Sequence, residues 1–176
     1  MAATITATLS SATANSYVTL AEANTYFETV PDSSTWTDKT DDQKNRALIA
    51  ATRWIDSLVY YGDRCDNAQA LKFPRNNYKV DDVELSCTTI PNNIKYAQYE
   101  LARALANDTG AITGTTGTEG NISEFKLGDI QLKYNTDSQG VGSINNIFDV
   151  YPWLQSYLGA YILGGAGTYQ MRVVRG

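Results

Sequence analysis

The sequence contains no histidine. That absence excludes Ser-His-Asp and Cys-His nucleophile machinery, zincin-type metal sites and imidazole general bases, all of which need that ring. Cysteine is nearly as scarce. Cys65 and Cys87 are the two present, too few for a disulfide scaffold and without metal-ligand spacing, so they read as buried free thiols in a reducing compartment. Charge is sparse as well, at 19% of 176 residues, and acids outnumber bases 19 to 14 for a net −5. No basic block occurs, so the electrostatic footprint of non-specific nucleic-acid binding is missing. Long apolar runs are also lacking. The stretch from Val150 to Met171 carries no charge, but Pro152, Gln155, Ser156, four glycines and Gln170 interrupt it, which favours a helix docked on protein over a membrane span. The opening "MAATITATLSSATANS" has neither a basic n-region nor an apolar h-region, so no signal peptide is expected.

Phosphate and metal motifs are missing too. No G-x-x-x-x-G-K-[ST] occurs, and the glycine-rich run at 110–120 has no lysine and opens no apolar helix. "NTDSQG" imitates the start of a calcium loop at Asn135, Asp137 and Gln139, but Asn146 stands where a bidentate Glu is required, so it reads as a turn. The carboxylate pairs Asp41/Asp42 and Asp81/Asp82 fall at a helix start and in a loop, where a solvated role is expected. No catalytic, cofactor-binding or metal-binding residue is therefore assigned, and the chain is not expected to be an enzyme.

What is present is tyrosine: twelve, beside three tryptophans and four phenylalanines. Its apolar face and polar tip suit an interface and a core alike. At this length one domain is expected, burying roughly 70% of its unfolded surface. Residues 1–18 read as a flexible lead-in, residues 19–163 as a helical domain, and residues 164–176 as an extended arm. The fold class expected is mainly α, a bundle of about four helices with a protruding β-hairpin. Thr19 and Glu22 form a capping box before Leu20, Ala23, Tyr26 and Phe27, which predicts a helix near 19–30. Thr40 and Gln43 repeat the pattern before a helix near 40–61, with Leu48, Ala51, Ile55 and Leu58 on one stripe and Gly62 as its stop. Pro91 opens a third helix to about 108, with Ile94, Ala97, Leu101 and Leu105 inward. Pro152 opens a fourth, near 152–163, whose apolar face is Leu154, Tyr157, Leu158, Tyr161 and Ile162. Residues 63–90 read as irregular, with Pro74 at their centre.

Between the third and fourth helices, Phe125, Leu127, Ile130, Leu132 and Tyr134 alternate around Gly128-Asp129, predicting a β-hairpin at about 122–134. A lone hairpin is marginal in water, so an inter-subunit contact is expected of it. The closing "GGAGTYQMRVVRG" places Tyr169, Met171, Arg172, Val173, Val174 and Arg175 after a glycine hinge. That segment reads either as an edge strand on its own domain or as an arm for another chain.

Three stretches carry a family resemblance: "SYVTLAEANTYF", "QKNRALIAATRWID" with the later "ALKFPR", and "IPNNIKYAQYELA". Together they resemble the head-to-tail connector proteins of tailed bacteriophages, a family also described as DnaT-like single-stranded-DNA-binding proteins. The likeness is clearest over residues 16–105. It implies a structural virion protein at the neck of the particle, made in the host cytoplasm. Such a protein forms a ring, usually a 12-mer, under the portal protein, extending the DNA channel and offering an attachment surface. The implied partners are the portal protein, reached by the closing arm, neighbouring copies of itself, and tail or tail-terminator proteins. DNA would pass through without specific binding, and no membrane is involved. The same label implies an alternative, a DnaT-like single-stranded-DNA-binding module. Aromatics for base stacking are plentiful, while the net charge weighs against a basic groove.

Overall fold

The computed structural model describes residues 3–107, 124–127, 130–133 and 147–163. Their helices are α1 (Leu20–Glu28), α2 (Ser34–Thr37), α3 (Asp41–Asp56), α4 (Asn92–Asn107), α5 (Ile147–Val150) and α6 (Leu154–Leu158). The antiparallel ladders are β1 (Asp63–Arg64) with β2 (Arg75–Asn76), β3 (Lys79–Val80) with β4 (Val83–Glu84), and β5 (Glu124–Leu127) with β6 (Ile130–Lys133). This is a small, mainly helical fold with hairpins. Among the described residues no helix is long and apolar enough to cross a membrane.

Both capping boxes form. Thr19 and Glu22 satisfy each other's backbone N–H groups at the start of α1, and Thr40 and Gln43 do so for α3. The Asp42–Arg46 pair closes at 2.8 Å along α3. α3 and α4 pack against each other through Leu48, Ala51 and Ile55 on one side and Ile94, Leu101 and Leu105 on the other, all buried. Phe27 of α1 stacks on Trp36 of α2 at 4.7 Å, and the Trp36 indole donates to Asn24 Oδ1. Leu154 and Leu158 of α6 close the core beside α4.

Four expectations are corrected. Helix α3 stops at Asp56 rather than near residue 61. Its last carbonyls are taken by Ser57 Oγ, donating to Trp54, and by the Tyr60 hydroxyl, donating to Ile55. The chain beyond then turns extended and pairs with the 161–163 segment, Tyr61 N–H donating to Tyr161 and Leu163 N–H to Val59. The helix expected near 152–163 is instead the short α6, with a separate turn of helix, α5, before Pro152 where no helix was expected, so two long helices with shorter ones packed on them make up the helical part. Residues 3–18, whose composition reads as a lead-in, are anchored: Ala3 N–H donates to Asp42, Asn45 donates back to Ala3, and Ser16, Tyr17 and Val18 are buried. Cys65 and Cys87 are not free thiols. They form a disulfide across a separation of 22 residues, which draws the irregular 63–90 region into a closed loop.

The hairpin predicted at 122–134 is present as β5 and β6, with Phe125 opposite Leu132 and Leu127 opposite Ile130. Tyr134 and the whole closing segment, with Tyr169, Met171, Arg172, Val173, Val174 and Arg175, lie outside the described residues.

Candidate functional site

None of the residues assigned from the sequence builds a described site. The candidate comes from the loop read there as merely irregular. Between the end of α3 and the disulfide-closed loop lies an open groove of about 550 Å³ whose lining includes Arg64, Lys72 and Arg75, with Asp63 as its one acid among the described residues.

Two of the three cations, Lys72 and Arg75, are placed by backbone carbonyls rather than by an acid. Arg75 is buried, and its guanidinium donates to the carbonyls of Tyr61 at 2.8 Å, Tyr60 at 3.2 Å, Lys72 at 3.3 Å and Gly62. Burial pushes this guanidinium below its ordinary range, and the nearby Asp63 carboxylate works against that shift. Lys72 donates its ammonium to Leu58 O at 2.7 Å, and Arg64 stands exposed on β1. Among the described residues the ion pairs are Asp42–Arg46, Glu22–Lys95 and Glu100–Arg103. None of the three groove cations belongs to them. Carbonyl dipoles orient Lys72 and Arg75 without cancelling their charge. The Asp63 carboxylate acts on Arg75, and that of Asp56 on Lys72 and Arg64, from beyond ion-pair distance.

Gly62 makes the close approach possible. Its φ is +75°, and a Cβ there would meet Asn76 O at 2.3 Å, so only glycine lets β1 and β2 come together around Arg75. Beside the groove, Tyr61 and Tyr78 stack at 4.7 Å with their planes 14° apart, and Tyr61 is 38% exposed. The Tyr78 hydroxyl donates to Ala160 O at 3.2 Å, fixing that ring to the segment after α6.

Beneath the groove, Asp56 accepts from the Tyr17 hydroxyl and from Lys72 N–H. Burial raises its carboxyl above the ordinary range, against those hydrogen bonds and the nearby charge of Lys72 and Arg64. This carboxylate holds the loop to α3 and ties Tyr17 to the same point.

The profile of the family described as "Putative DnaT-like ssDNA binding protein" matches residues 1–176. The chain belongs to that family. No curated protein and no solved structure matches it.

The whole-chain match corrects the connector reading. Nothing found supports a ring beneath a portal, and the family's description fits the alternative. The shared stretches are helix-packing patterns, which mark a family without marking an activity. Net charge also says little locally: a chain of −5 overall still gathers three cations, with no carboxylate at ion-pair distance, in one groove. Sequence reasoning missed Arg64, Lys72 and Arg75 because they are spread over twelve residues, with Asp63 and Asp66 beside the first of them and Asp81 and Asp82 after the last. The available signal was the tyrosine pair Tyr60-Tyr61 followed by a stretch bracketed by the two cysteines.

Proposed function

We propose that the protein is a single-stranded-DNA-binding module, using the Arg64, Lys72 and Arg75 groove for phosphates and the Tyr61–Tyr78 pair as a stacking surface. The observation that carries the reading is the groove itself: three cations without a carboxylate at ion-pair distance, beside the exposed Tyr61 ring stacked on Tyr78. A cationic track with aromatic faces is the arrangement that binds single strands with little sequence preference. Family membership supports the same chemistry. The role is binding, not catalysis. Helices α1, α3, α4 and α6 act as a bundle-like scaffold that holds the loop in place.

With phosphates meeting Arg64 and Lys72, and Arg75 committed to the backbone beneath them, log K should fall with log salt with a slope of roughly −1.4. Fluorescence anisotropy with labelled oligothymidylate, its duplex counterpart and a salt series tests this. Arg64→Glu is the informative variant, because Arg64 is exposed and anchors no carbonyl. It should weaken single-strand binding and flatten the salt slope. Equal affinity for duplex and single strand, or an Arg64→Glu protein indistinguishable from the parent, would overturn the proposal.

A further inference from the structure

We propose that a second groove, beside Trp153, is a pocket for an unpaired nucleobase; this rests on the single-strand reading above and extends it to a separate surface. The groove, of about 490 Å³, lies between α4 and the start of α6, and Trp153, Tyr157, Arg103, Glu100 and Asn107 line it. Its volume is in the range of roughly 300–1,000 Å³ that small ligands occupy.

The wall is aromatic. Trp153 is 38% exposed and meets Tyr157 edge to face at 6.5 Å. Tyr157 in turn meets Tyr96 at 6.5 Å, and Tyr96 is 36% exposed. The groove's charge is already spent. Arg103, its one cation among the described residues, binds Glu100 at 2.6 Å, and the other Glu100 oxygen accepts from the Tyr26 hydroxyl at 2.7 Å. A neutral pocket with exposed rings does not gather phosphates; it suits a flat, uncharged ring with hydrogen-bonding edges. Asn107 and Ser156 in its lining, whose donors go to the carbonyls of Thr35, Arg103 and Trp153, keep oxygens that can accept from such an edge.

Continuity with the cationic groove names the occupant. One short segment serves both surfaces: Trp153 and Tyr157 line this pocket, while Ala160 and Tyr161 accept from Tyr78 and Tyr61 of the other. From Tyr157 to Ala160 the backbone spans at most about 10 Å. A strand several nucleotides long whose phosphates follow Arg64 and Lys72, and which then runs along this segment, would bring a base to the Trp153 indole.

The test is anisotropy of labelled oligothymidylate against the full chain and the Trp153→Ala, Trp153→Phe and Trp54→Ala variants, with circular dichroism of each. Loss of one stacked base corresponds to roughly a 5- to 150-fold loss of affinity. Trp153→Ala should show a loss in that range with an unchanged salt slope, because no phosphate contact is removed, and Trp153→Phe should recover most of it. Trp54, equally exposed at 37% but lining neither groove, should bind like the parent when replaced. An abasic strand of the same length should bind parent and Trp153→Ala protein alike. Parental affinity in a folded Trp153→Ala protein, or an equal loss in Trp54→Ala, would overturn the pocket while leaving the cationic groove standing. Absence of single-strand binding by the parent protein would overturn the underlying reading and the pocket with it.

Discussion

Replacing Gln98 with alanine should loosen the N-terminal segment from the helical core and cost a large part of the protein's stability. Gln98 sits on α4 and is fully buried. Its amide nitrogen donates to Ser16 Oγ at 2.7 Å and to Leu48 O at 3.1 Å, and its oxygen accepts from Tyr17 N–H at 3.2 Å. One side chain thus joins three segments. After truncation, Leu48 O still accepts from Thr52 Oγ1, and Ser16 Oγ still bonds with Val18. Tyr17 N–H is left stranded in the interior. Two lost hydrogen bonds at about 1 kcal/mol each and a stranded donor at about 1–3 kcal/mol sum to roughly 3–5 kcal/mol before the cost of the small cavity left behind. Against a total of about 5–15 kcal/mol, that is a severe change. At roughly 2–4 °C per kcal/mol for a chain of this length, Tm should fall by about 6–20 °C. Urea denaturation followed by circular dichroism, with calorimetry, measures both quantities. Gln98→Leu separates the causes, since it fills the space but still strands Tyr17 N–H, and should remain about 1–3 kcal/mol below the parent. Both variants within about 0.5 kcal/mol of the parent would refute the reasoning.

Opening the disulfide should lower stability by about 3 kcal/mol, the loop-closure value for a separation of 22 residues; calorimetry of the parent with and without a dithiol, beside the Cys65→Ser, Cys87→Ser double variant, checks this. Asp56 sets a pH dependence of definite sign. Its folded carboxyl is raised, so in the window between the unfolded and folded pKa the native state holds more protons than the unfolded one, and this group's contribution grows as pH falls and is lost as pH rises. Asp56→Asn removes that contribution, so the Tm difference between parent and variant should move in the parent's favour from about pH 7 to about pH 4; a constant difference would show that Asp56 is not raised. Glu22 works in the opposite sense. Burial raises its carboxyl, but bonds from Thr19 and Lys95 outweigh that and leave it lowered, so its contribution is lost on acidification. It is common to both proteins and cancels in the comparison.

The helix starts were legible in the sequence because a capping box is decided within four residues. Thr19 with Glu22, and Thr40 with Gln43, need nothing from the rest of the chain. The inward stripes of α3 and α4 were legible for the same reason, since 3.6-residue periodicity declares its buried face. The end of α3 was not. Tyr60 and Tyr61 could continue a helix, and only the distant 161–163 segment, offering backbone partners, draws them into extended pairing. The cysteines show the same limit, because whether two thiols meet depends on the path of the loop between them and not on their count. The cationic groove depends on tertiary structure most of all. In the sequence Arg64, Lys72 and Arg75 are diluted by neighbouring aspartates. In space the Gly62 turn and the backbone carbonyls around Arg75 gather the three cations into one groove and leave most of those acids outside it, because a side chain's neighbours are set by the fold rather than by chain order.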